Sequence, residues 1–335
     1  MKKIVVDIFG GDNAPIEIMK GCLEALSKAE GFGIVMSGDK DVIEQFLADK
    51  KYDKSRVEIL DAKEVITNDE VPTVAIRTKK NSSLVMGLDC TKNDTEAVGF
   101  VSAGSTGAVL AGATLRIGRI RGVQRPALAP LLPTLSGKKV LLIDCGANVD
   151  CKPQMLLQFA QMGHAFMNSV MKVESPRIGL LSNGTEDKKG NELTHETFAL
   201  LKESGLNFCG NMEAREILSG DYDVVVADGF YGNIALKSCE GTALMMLKLL
   251  KRELTATLPR KLAALMLKPA FKNVKEVMDY NKSGGAPFLG VSKVVIKSHG
   301  SSKADAICGS ILQAWNFAEN NLIENLTPYF SVEEQ

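Results

Sequence analysis

One pattern recurs along this chain: a short run of β-branched and other apolar residues, then a turn that contains glycine, then a longer run with helical periodicity. Val- and Ile-rich strands that alternate with helices predict βαβ units, in which parallel strands pair and helices cover both faces of the sheet. The strand-and-turn part of the pattern reads KIVVDIFGG, AVGFVSAGSTG, KVLLIDCGANVD, RIGLLSNGTEDKKG, YDVVVADGFYGN and KVVIKSHGSS. The chain is therefore predicted to be an α/β protein with a mostly parallel sheet and further strands near 34–37 and 57–61.

The chain reads as one continuous unit. With 335 residues, 45% of them hydrophobic, it is long enough to bury a large core, either as one domain or as two lobes. No repeat of fixed period and no Pro- or Ser-rich linker interrupts it. We expect a single domain over 1–323, with an amphipathic helical segment at 241–280 inside it, and a C-terminal tail over 324–335.

Charge and cysteine content narrow the class of protein. The 40 basic and 40 acidic residues give a formal net charge of zero, which argues against a surface that binds nucleic acid. The seven cysteines form no CxxC motif or Cys/His cluster, so we expect reduced thiols and no metal site. The N-terminal stretch MKKIVVDIFGGDNAP is not typical of a signal peptide, and no apolar run is long enough to span a bilayer. These features predict a cytoplasmic protein.

Each predicted strand ends in a turn of small and polar residues. In open α/β sheets, ligands bind beyond the carboxyl ends of the strands, and the helix N-termini that begin there favour anions. Six such turns occur, at 10–13, 104–107, 146–148, 184–191, 228–233 and 299–302. A single glycine-rich turn is usually no more than a turn, but six that meet at one edge predict an anion site, with phosphate as the leading candidate.

The stretch VVVADGFYGNIALKSCEG, at 224–241, brings a carboxylate, an amide and an ammonium group together around two glycines. Asp228, Asn233 and Lys237 supply these groups, although Asp228 also fits the alternative role of a helix cap. The GxGxxG, GxxxxGK[ST] and GxSxG motifs are absent, so the dinucleotide fingerprint, the P-loop and the hydrolase elbow are excluded. Cys145 and Cys151 are formal nucleophile candidates, but neither has a histidine beside it in the sequence.

Seven motifs, in order, resemble those of the phosphate acyltransferase family PlsX, whose members are also called acyl-ACP:phosphate transacylases. The motifs are VDIFGGDNAP, SAGSTGAVLA, RPALAPLLPT, DCGANVDCKP, ADGFYGNIALKSCEG, GGAPFLGV and HGSSKADAI. The resemblance extends from Ile4 to about Leu322. Two positions depart from the family's pattern: Ser105 stands where an Asn is usual, and Ser182 opens a turn that usually reads N-x-G.

The resemblance implies a reaction, a fold and partners. Family members reversibly transfer a long-chain fatty acyl group from acyl carrier protein to inorganic phosphate, and the acyl phosphate feeds glycerol 3-phosphate acylation in bacterial phospholipid synthesis. The implied fold is an αβα sandwich similar to isocitrate/isopropylmalate dehydrogenases and related to phosphotransacetylases. No cofactor is implied. A homodimer is expected at the inner face of the cell membrane, where a membrane glycerol-3-phosphate acyltransferase would receive the product.

The residue types suggest direct attack of a phosphate oxygen on the thioester carbonyl, so the site must position phosphate and stabilise an oxyanion. Lys189, which matches a lysine of the family's turn, and Lys237 are alternatives for holding either group. Asn233 would donate through its amide, Asp228 would accept a proton or orient a lysine, and His299 would protonate the leaving thiolate. The expected phosphate and substrate contacts are Gly11, Asp12, Asn13, Ser105, Thr106, Asn148, Gly229, Gly232, Lys237, Ser301 and Ser302.

The segment 241–275 differs in charge from the rest of the chain. It holds eight Lys/Arg residues and a single acid, Glu253, interleaved with leucines at helical spacing. This pattern is typical of a surface that contacts anionic membranes, and it equally fits a dock for acidic acyl carrier protein or a helical hairpin packed in a dimer. The family resemblance favours the membrane. The expected contact residues are Lys251, Arg252, Leu258, Arg260, Lys261, Leu262, Leu265 and Lys268.

Three functions from different classes fit the sequence. The first is the acyl carrier protein-dependent acyltransferase. The second is a short-chain phosphotransacetylase that uses coenzyme A thioesters. The third is a non-catalytic scaffold that docks carrier protein at the membrane.

Overall fold

The computed structural model describes residues 1–271, 274 and 284–330 and arranges them in two sheets with helices on their faces. The strands are β1 (Lys3–Asp7), β2 (Gly33–Gly38), β3 (Val57–Asp61), β4 (Ala97–Ser102), β5 (Ala127–Leu128), β6 (Leu131–Pro133), β7 (Lys139–Ile143), β8 (Ile178–Ser182), β9 (Phe208–Glu213), β10 (Val224–Val226), β11 (Ala286–Leu289) and β12 (Val294–Lys297). The helices are α1 (Ile16–Lys28), α2 (Lys40–Leu47), α3 (Pro72–Thr78), α4 (Ser83–Asn93), α5 (Thr106–Gly112), α6 (Pro153–Ser169), α7 (Glu192–Glu203), α8 (Gly229–Leu254), α9 (Leu258–Met266), α10 (Ala304–Glu319) and α11 (Leu322–Leu326).

The first lobe is built on a seven-stranded sheet in the order β3-β2-β1-β4-β12-β11-β5. Strands β3, β2, β1, β4 and β12 are parallel, and β11 and β5 are antiparallel to their neighbours. Because successive side chains point to opposite faces, Ile4 and Val6 of β1 join one core cluster and Val5 joins another. Helices α1 and α10 cross one face at Gly21, where an added Cβ would lie 2.7 Å from the Cβ of Ile307. Both faces of this sheet are therefore covered, as the sequence pattern predicts.

The second lobe is built on a five-stranded sheet in the order β6-β7-β10-β8-β9. Strand β6 is antiparallel to β7, and the other pairs are parallel. Helix α6 packs on one face against Leu141 and Ile143, and the first half of α8 packs on the other through Ala235 and Leu236. The carboxyl ends of both sheets carry the turns that the sequence singles out.

The mixed α/β class and the mostly parallel pairing are confirmed, but the arrangement in two sheets corrects the expectation of one. Strands β5, β6 and β11 are not predicted by the repeated pattern, because they have two to four residues each and lie in Pro-containing stretches. Proline cannot donate to a sheet ladder, so such short strands occur at edges and ends of sheets. Here β6 is one of the two edge strands of the second sheet, and β5 is one of the two edge strands of the first.

A second correction concerns the stretch 228–233, which the sequence suggests is a turn. Helix α8 begins at Gly229, so Gly229, Gly232 and Asn233 lie in its first turns. Asp228 is the N-cap residue, and its Oδ1 accepts hydrogen bonds from the backbone N–H groups of Phe230 and Tyr231, each at 2.9 Å. The sequence does not predict a helix that begins at Gly229, because glycine is a poor helix former and two glycines lie in this first turn.

The C-terminal segment is packed rather than a free tail as far as the structure describes it. Leu322 and Leu326 of α11 are buried, and Phe330 is only 5% exposed. The packed domain therefore continues through Phe330, beyond the boundary expected at residue 323. The rest of the expected tail, 331–335, lies outside the described residues.

Helices α8 and α9 carry the basic and apolar side chains of the expected 241–280 segment. Leu258, Leu262 and Leu265 are 72%, 59% and 65% exposed, and the expected contact residues Lys251, Arg252, Lys261 and Lys268 are exposed as well. Arg260 forms an ion pair with Glu253 at 3.4 Å. Lys272, Lys275 and the remainder of the segment to 280 lie outside the described residues, apart from 274. Across the described residues, no helix has both the length and the apolar character needed to cross a membrane.

Candidate functional site

A cleft of about 360 Å³ lies between the two lobes, where turns from both sheets face each other. From the first lobe it is lined by the start of α5 and by the turn after β12, and from the second by the turn after β7 and one face of α8. The predicted residues that line it are Thr106, Asn233, Lys237, His299 and Ser302. The apolar residues that line it are Leu128, Pro130, Leu131, Leu132 and Leu236.

The turns after β1 and β12 are tied to each other. The backbone N–H of Asp12 donates to the carbonyl of Gly300 at 2.8 Å, and Asn13 Nδ2 donates to the carbonyls of Ser301 and Ser302 at 3.0 and 3.3 Å. Gly11 adopts φ +101°, and an added Cβ there would lie 2.9 Å from that of Ala103. Gly11 and Asn13 therefore hold the first-lobe turns in place, and neither is among the residues that line the cleft.

A buried carboxylate positions the turn before α5. Asp7, 2% exposed, accepts hydrogen bonds from Ser83 Oγ at 2.6 Å and Ser102 Oγ at 2.7 Å. Ser102 Oγ in turn accepts from the backbone N–H of Gly104 at 3.0 Å. Burial raises the pKa of Asp7. This chain of hydrogen bonds fixes the turn that leads through the half-buried Ser105 to Thr106 at the cleft.

Asp144 plays the same part in the second lobe. Its fully buried carboxylate accepts hydrogen bonds from the backbone N–H groups of Leu128, Ala147 and Asn148 at 2.9, 3.2 and 2.7 Å, and from Asn148 Nδ2 at 2.9 Å. Burial raises the pKa of Asp144 to about 6, although these donors favour the charged form. Asn148, expected to contact substrate, thus supports the turn, and its carbonyl accepts from the N–H of Gly229 at 2.7 Å.

One face of α8 supplies the polar groups of the second lobe. Asn233, Lys237 and Glu240 follow each other at helical spacing and all line the cleft. Lys237 Nζ lies 2.8 Å from Glu240 Oε2, so its charge is partly compensated. Helix α8 approaches closely at Gly232, where an added Cβ would collide with the carbonyl of Asp144. The glycines therefore bring Asn233 to the cleft wall by letting the helix N-terminus approach the turn after β7.

Lys297 is the most perturbed cation at the cleft among the described residues. It ends β12 and is 8% exposed, and its Nζ donates to the carbonyls of Ala103, at 3.4 Å, and Ser298. Burial lowers the pKa of Lys297 to about 8, against the opposing effects of Asp12 and Asp7. The ammonium group is thus charged at neutral pH and lies in a poorly hydrated place, and Lys297 is among the residues that line the cleft.

His299 follows two residues later and also lines the cleft. Its Nδ1 accepts a hydrogen bond from the backbone N–H of Ser301 at 3.2 Å and lies 2.8 Å from Ser301 Oγ. Burial and the nearby Lys237 and Lys297 charges lower the pKa of His299, so the neutral ring dominates at pH 7. With Nδ1 occupied as an acceptor, the proton of the neutral ring is on Nε2, which is free to donate.

Several predicted site residues lie elsewhere. Lys189 is exposed in the 184–191 loop, which borders a second cavity and not the cleft. Asp228 is 6% exposed and caps α8, so its carboxylate serves the helix and is not among the groups that line the cleft. Cys145 lines the cleft, but burial raises its thiol pKa, and burial raises that of Cys151 to about 12. Neither thiol is prepared to act as a nucleophile at neutral pH.

Sequence reasoning missed three groups, of which Lys297 is the most informative. A lone lysine at the end of the apolar strand KVVIK, two residues before His299, is the signal by which the sequence could have identified it. Asp7 and Asp144 also lie at the ends of apolar strands. Their role is to accept several hydrogen bonds, and it depends on partners far along the chain, such as Ser83 and Leu128.

Replacing Asp144 with alanine should destabilise the fold by about 3 to 5 kcal/mol, because backbone N–H groups of the turn and of Leu128 lose a charged acceptor. Chemical denaturation of Asp144→Ala measures this free energy of unfolding. The exposed Asp150, at the end of the same turn, provides the control, and Asp150→Ala should change stability by less than about 0.5 kcal/mol. Equal stability of the two variants would contradict the claim that the Asp144 carboxylate stabilises the turn through these hydrogen bonds.

Comparison with known proteins adds sequence and structural relatives. A family model described as "Fatty acid synthesis protein" matches residues 2–325. The chain is 48% identical over 324 residues to the "Phosphate acyltransferase" of Clostridium acetobutylicum, covering 97% of both chains. It is 48% identical over 334 residues to the protein of the same name from Clostridium beijerinckii, covering 99% of both.

Solved structures with a similar fold share little sequence. A phosphotransacetylase from Streptococcus pyogenes superposes with a TM-score of 0.61 at 16% identity, covering 96% of this chain and 94% of that one. A branched-chain phosphotransacylase from Enterococcus faecalis gives 0.58 at 12% identity, covering 95% and 99%. A 4-hydroxythreonine-4-phosphate dehydrogenase from Klebsiella pneumoniae gives 0.55 at 13% identity, covering 95% and 98%. At these identities the likeness concerns the fold alone.

Proposed function

Since this chain belongs to the phosphate acyltransferase family and is an acyltransferase, we propose that it transfers a long-chain fatty acyl group from acyl carrier protein to inorganic phosphate. The product would be an acyl phosphate, and the reaction would be reversible. No cofactor takes part in the proposed step. The reacting groups meet in the cleft between the lobes.

The observation that carries the proposal is that cationic and hydrogen-bond-donating side chains and a set of apolar side chains line the same cleft. Lys297, Lys237, Asn233 and His299 supply the first, which suits an anion and a developing oxyanion. The leucines of the stretch LAPLL and Leu236 supply the second, which suits the first methylene groups of an acyl chain. A substrate with a reactive carbonyl between a hydrocarbon chain and an anionic co-substrate matches these two sets of side chains.

The chemistry needs positioning more than activation. An unprotonated oxygen of the phosphate dianion attacks the thioester carbonyl, so a C–O bond forms and the C–S bond breaks as the tetrahedral intermediate collapses. The dianion carries one proton, and the leaving thiolate takes up one proton, so no net proton is released. Lys297 holds the phosphate charge in a poorly hydrated place, which lowers the barrier by fixing the nucleophile and removing solvent.

Neutral His299 lines the cleft with its Nε2–H available, so it would donate a hydrogen bond to the oxyanion. The neutral ring is not an acid for the leaving sulfur, which corrects the role expected of His299; the proton that the thiolate takes up is the one carried by the phosphate dianion. Asn233 offers a second donor from the facing lobe. The two proposed donors would come from different lobes.

The alternative is a short-chain phosphotransacetylase that uses coenzyme A thioesters. Its support is the fold shared with a phosphotransacetylase and a branched-chain phosphotransacylase. Parallel assays with long-chain acyl carrier protein and with acetyl coenzyme A decide between the two. A preference for the coenzyme A thioester in kcat/KM would replace the proposal with this alternative.

We also propose how the enzyme reaches its partners. The exposed leucines of α9 and the lysines and arginines around them would attach the protein to the anionic inner face of the cell membrane, where a glycerol-3-phosphate acyltransferase takes the product. The same positive charge would attract acidic acyl carrier protein. The exposed apolar side chains of α8, such as Leu244 and Met245, would be covered in a homodimer.

Asn233→Ala should lower kcat/KM for phosphate by roughly tenfold to a thousandfold, since an oxyanion or phosphate donor is lost. Lys189→Ala, which removes a charge from the loop outside the cleft, should lower it less than about threefold, as expected of an exposed group that touches no reacting atom. Steady-state kinetics with varied phosphate measure both. The reverse order of effects would move the reacting groups from the cleft to the 184–191 loop.

A further inference from the structure

Among the described residues, Glu240 is the only carboxylate that lines the cleft. It lies on α8, about one helical turn after Lys237 and about two after Asn233, and its side chain is only 13% exposed. The charged side chains that line the cleft with it, Lys237 and Lys297, are cations. A mostly buried carboxylate weakens the binding of a dianion in the same cleft unless the two make a favourable contact.

The Glu240 carboxylate can accept more hydrogen bonds than its ion pair uses. Lys237 Nζ lies 2.8 Å from Glu240 Oε2, and Lys237 is the only partner of the Glu240 side chain within the described part of the chain. An ionised carboxylate has two oxygens with about four lone-pair positions, all of which accept and none of which donates. Glu240 can therefore receive a hydrogen bond from a ligand, but it has nothing to donate.

The charges of Glu240, Lys237 and Lys297 act on the same part of the cleft. Burial lowers the pKa of Lys297, and the charge of Lys237 adds to this effect. The pKa of His299, also lowered first by burial, is lowered further by both lysines and raised by Glu240. An anion held by Lys297 would therefore lie within the electrostatic range of Glu240.

Two inorganic dianions differ in what they offer to such a carboxylate. The phosphate dianion keeps one P–O–H group, which can donate a hydrogen bond. Sulfate is fully deprotonated near neutral pH and presents only acceptor oxygens. Both are tetrahedral and carry the same charge, so ammonium and amide donors hardly separate them. A carboxylate does separate them, because it accepts from the phosphate hydroxyl and repels every sulfate oxygen.

We propose that Glu240 determines the specificity of the cleft for phosphate over sulfate, by accepting a hydrogen bond from the protonated oxygen of the phosphate dianion. Phosphate as the co-substrate rests on the proposed function, whereas the selectivity rests on the place of Glu240 in the cleft, its single partner and its acceptor chemistry. The contact leaves the unprotonated oxygens of phosphate, one of which attacks, to the donors of the cleft.

The test is the binding of inorganic phosphate and of sulfate to the whole protein without acyl donor, measured as the rise in thermal midpoint with each anion at constant ionic strength. Wild type should bind phosphate at least about 100-fold more tightly than sulfate. Glu240→Gln should lower that ratio at least about tenfold by admitting sulfate, since the new amide can donate to it. Glu253→Gln, an exposed change farther along α8 and outside the cleft lining, should keep the ratio. Equal ratios in wild type and Glu240→Gln would overturn the proposal.

A double substitution separates the hydrogen bond from net charge. Glu240→Gln leaves Lys237 unpaired and adds positive charge, which strengthens the binding of both anions. Lys237→Met with Glu240→Gln removes one cation and one anion, so the net charge stays that of wild type and neither group is left unpaired. This double variant should lose selectivity as Glu240→Gln does. If it instead regains the wild-type ratio, net charge sets the selectivity and the proposal is wrong.

Two further anions test the role of the proton in the wild-type protein. The arsenate dianion keeps one hydroxyl group, whereas in monofluorophosphate a fluorine replaces the hydroxyl, so this dianion has no proton to donate. Arsenate should bind within about tenfold of phosphate, and monofluorophosphate should be rejected as sulfate is. Monofluorophosphate that binds as tightly as phosphate would show that the cleft does not recognise the proton.

Failure of this inference and failure of the proposed function are distinguishable. Selective phosphate binding that Glu240→Gln abolishes, without phosphate-dependent release of thiol by wild type, supports the inference and rejects the proposed function alone. Phosphate-dependent acyl transfer that sulfate inhibits equally in wild type and in Glu240→Gln supports the proposed function and rejects the inference alone.

Discussion

Lys297→Met should lower phosphate-dependent acyl transfer by roughly 100- to 1,000-fold, because the buried ammonium at the end of β12 is the group proposed to hold the attacking phosphate. The loss should appear mainly in kcat/KM for phosphate. Lys293, immediately before the same strand, donates to the carbonyl of Ala97 and is not among the residues that line the cleft, so Lys293→Met is the matched control. Similar losses in the two variants would show that Lys297 acts through the strand and not through phosphate.

The same substitution should increase stability. Burial lowers the folded-state pKa of Lys297 from 10.5 to about 8, so the unfolded chain binds more protons between these values. Stability contributed by this site therefore rises as the pH passes from about 8 toward 10.5, and below 8 the buried charge costs on the order of 3 kcal/mol. Lys297→Met removes that cost, so we expect a more stable and less active protein, measured by denaturation at pH 7.

The activity is expected to change with pH in the opposite direction from the stability. Phosphate binds the charged form of Lys297. In the free enzyme this positive charge is lost as the pH rises through about 8. The value of kcat/KM for phosphate should fall above this pH, and the fall should be absent in Lys297→Met. Lys293→Met should retain it.

The largest expected effect outside the cleft concerns the membrane. Leu262→Glu with Leu265→Glu should lower binding to anionic vesicles by more than about 100-fold, because two exposed leucines each contribute roughly 1.5 kcal/mol or more and the new charges are repelled. Vesicle co-sedimentation at two salt concentrations measures the change. Activity on a soluble short-chain thioester that needs no carrier protein should be largely unchanged, since α9 contributes no described residue to the cleft.

Val71 and Val74 provide the matched control for that experiment, because they are 63% and 55% exposed beside and on α3. Val71→Glu with Val74→Glu should bind vesicles as wild type does. If Leu262→Glu with Leu265→Glu keeps its vesicle binding but dissociates a dimer on a sizing column, the basic and apolar segment serves assembly and not the membrane.

The sequence predicts the parts of this fold that depend on local periodicity. The β-branched runs at β1, β4 and β7 and the helices after them stand where the pattern places them, because alternation and helical spacing are local signals. Division into two sheets is not local: it depends on β5, β6 and β11, which have two to four residues and pair across long stretches of chain. The sequence places the start of helix α8 too late, because glycine has a low helix propensity. Close packing of Gly232 against Asp144 stabilises the helix there.

In the candidate site, too, the sequence predicts some residues and misses others. Thr106, Asn233, Lys237, His299 and Ser302 reach the cleft as the convergence of strand ends predicts. Lys189 does not, since β8 lies beyond β10 in the second sheet and the 184–191 loop at its end borders the second cavity, on the other side of α8. Lys297 was missed because a lysine in a strand usually points to solvent, and only the fold reveals that this one is buried under the turn after β4.

The central claim is that the cleft between the lobes transfers an acyl group to phosphate. The most direct measurement is release of free thiol from long-chain acyl carrier protein with varied phosphate, with the acyl phosphate trapped by hydroxylamine in the same samples. The account predicts saturable, phosphate-dependent release, one acyl hydroxamate for each thiol, and loss of both in Lys297→Met but not in Lys293→Met. Thiol release that does not depend on phosphate, or none at all from a folded protein, would contradict it.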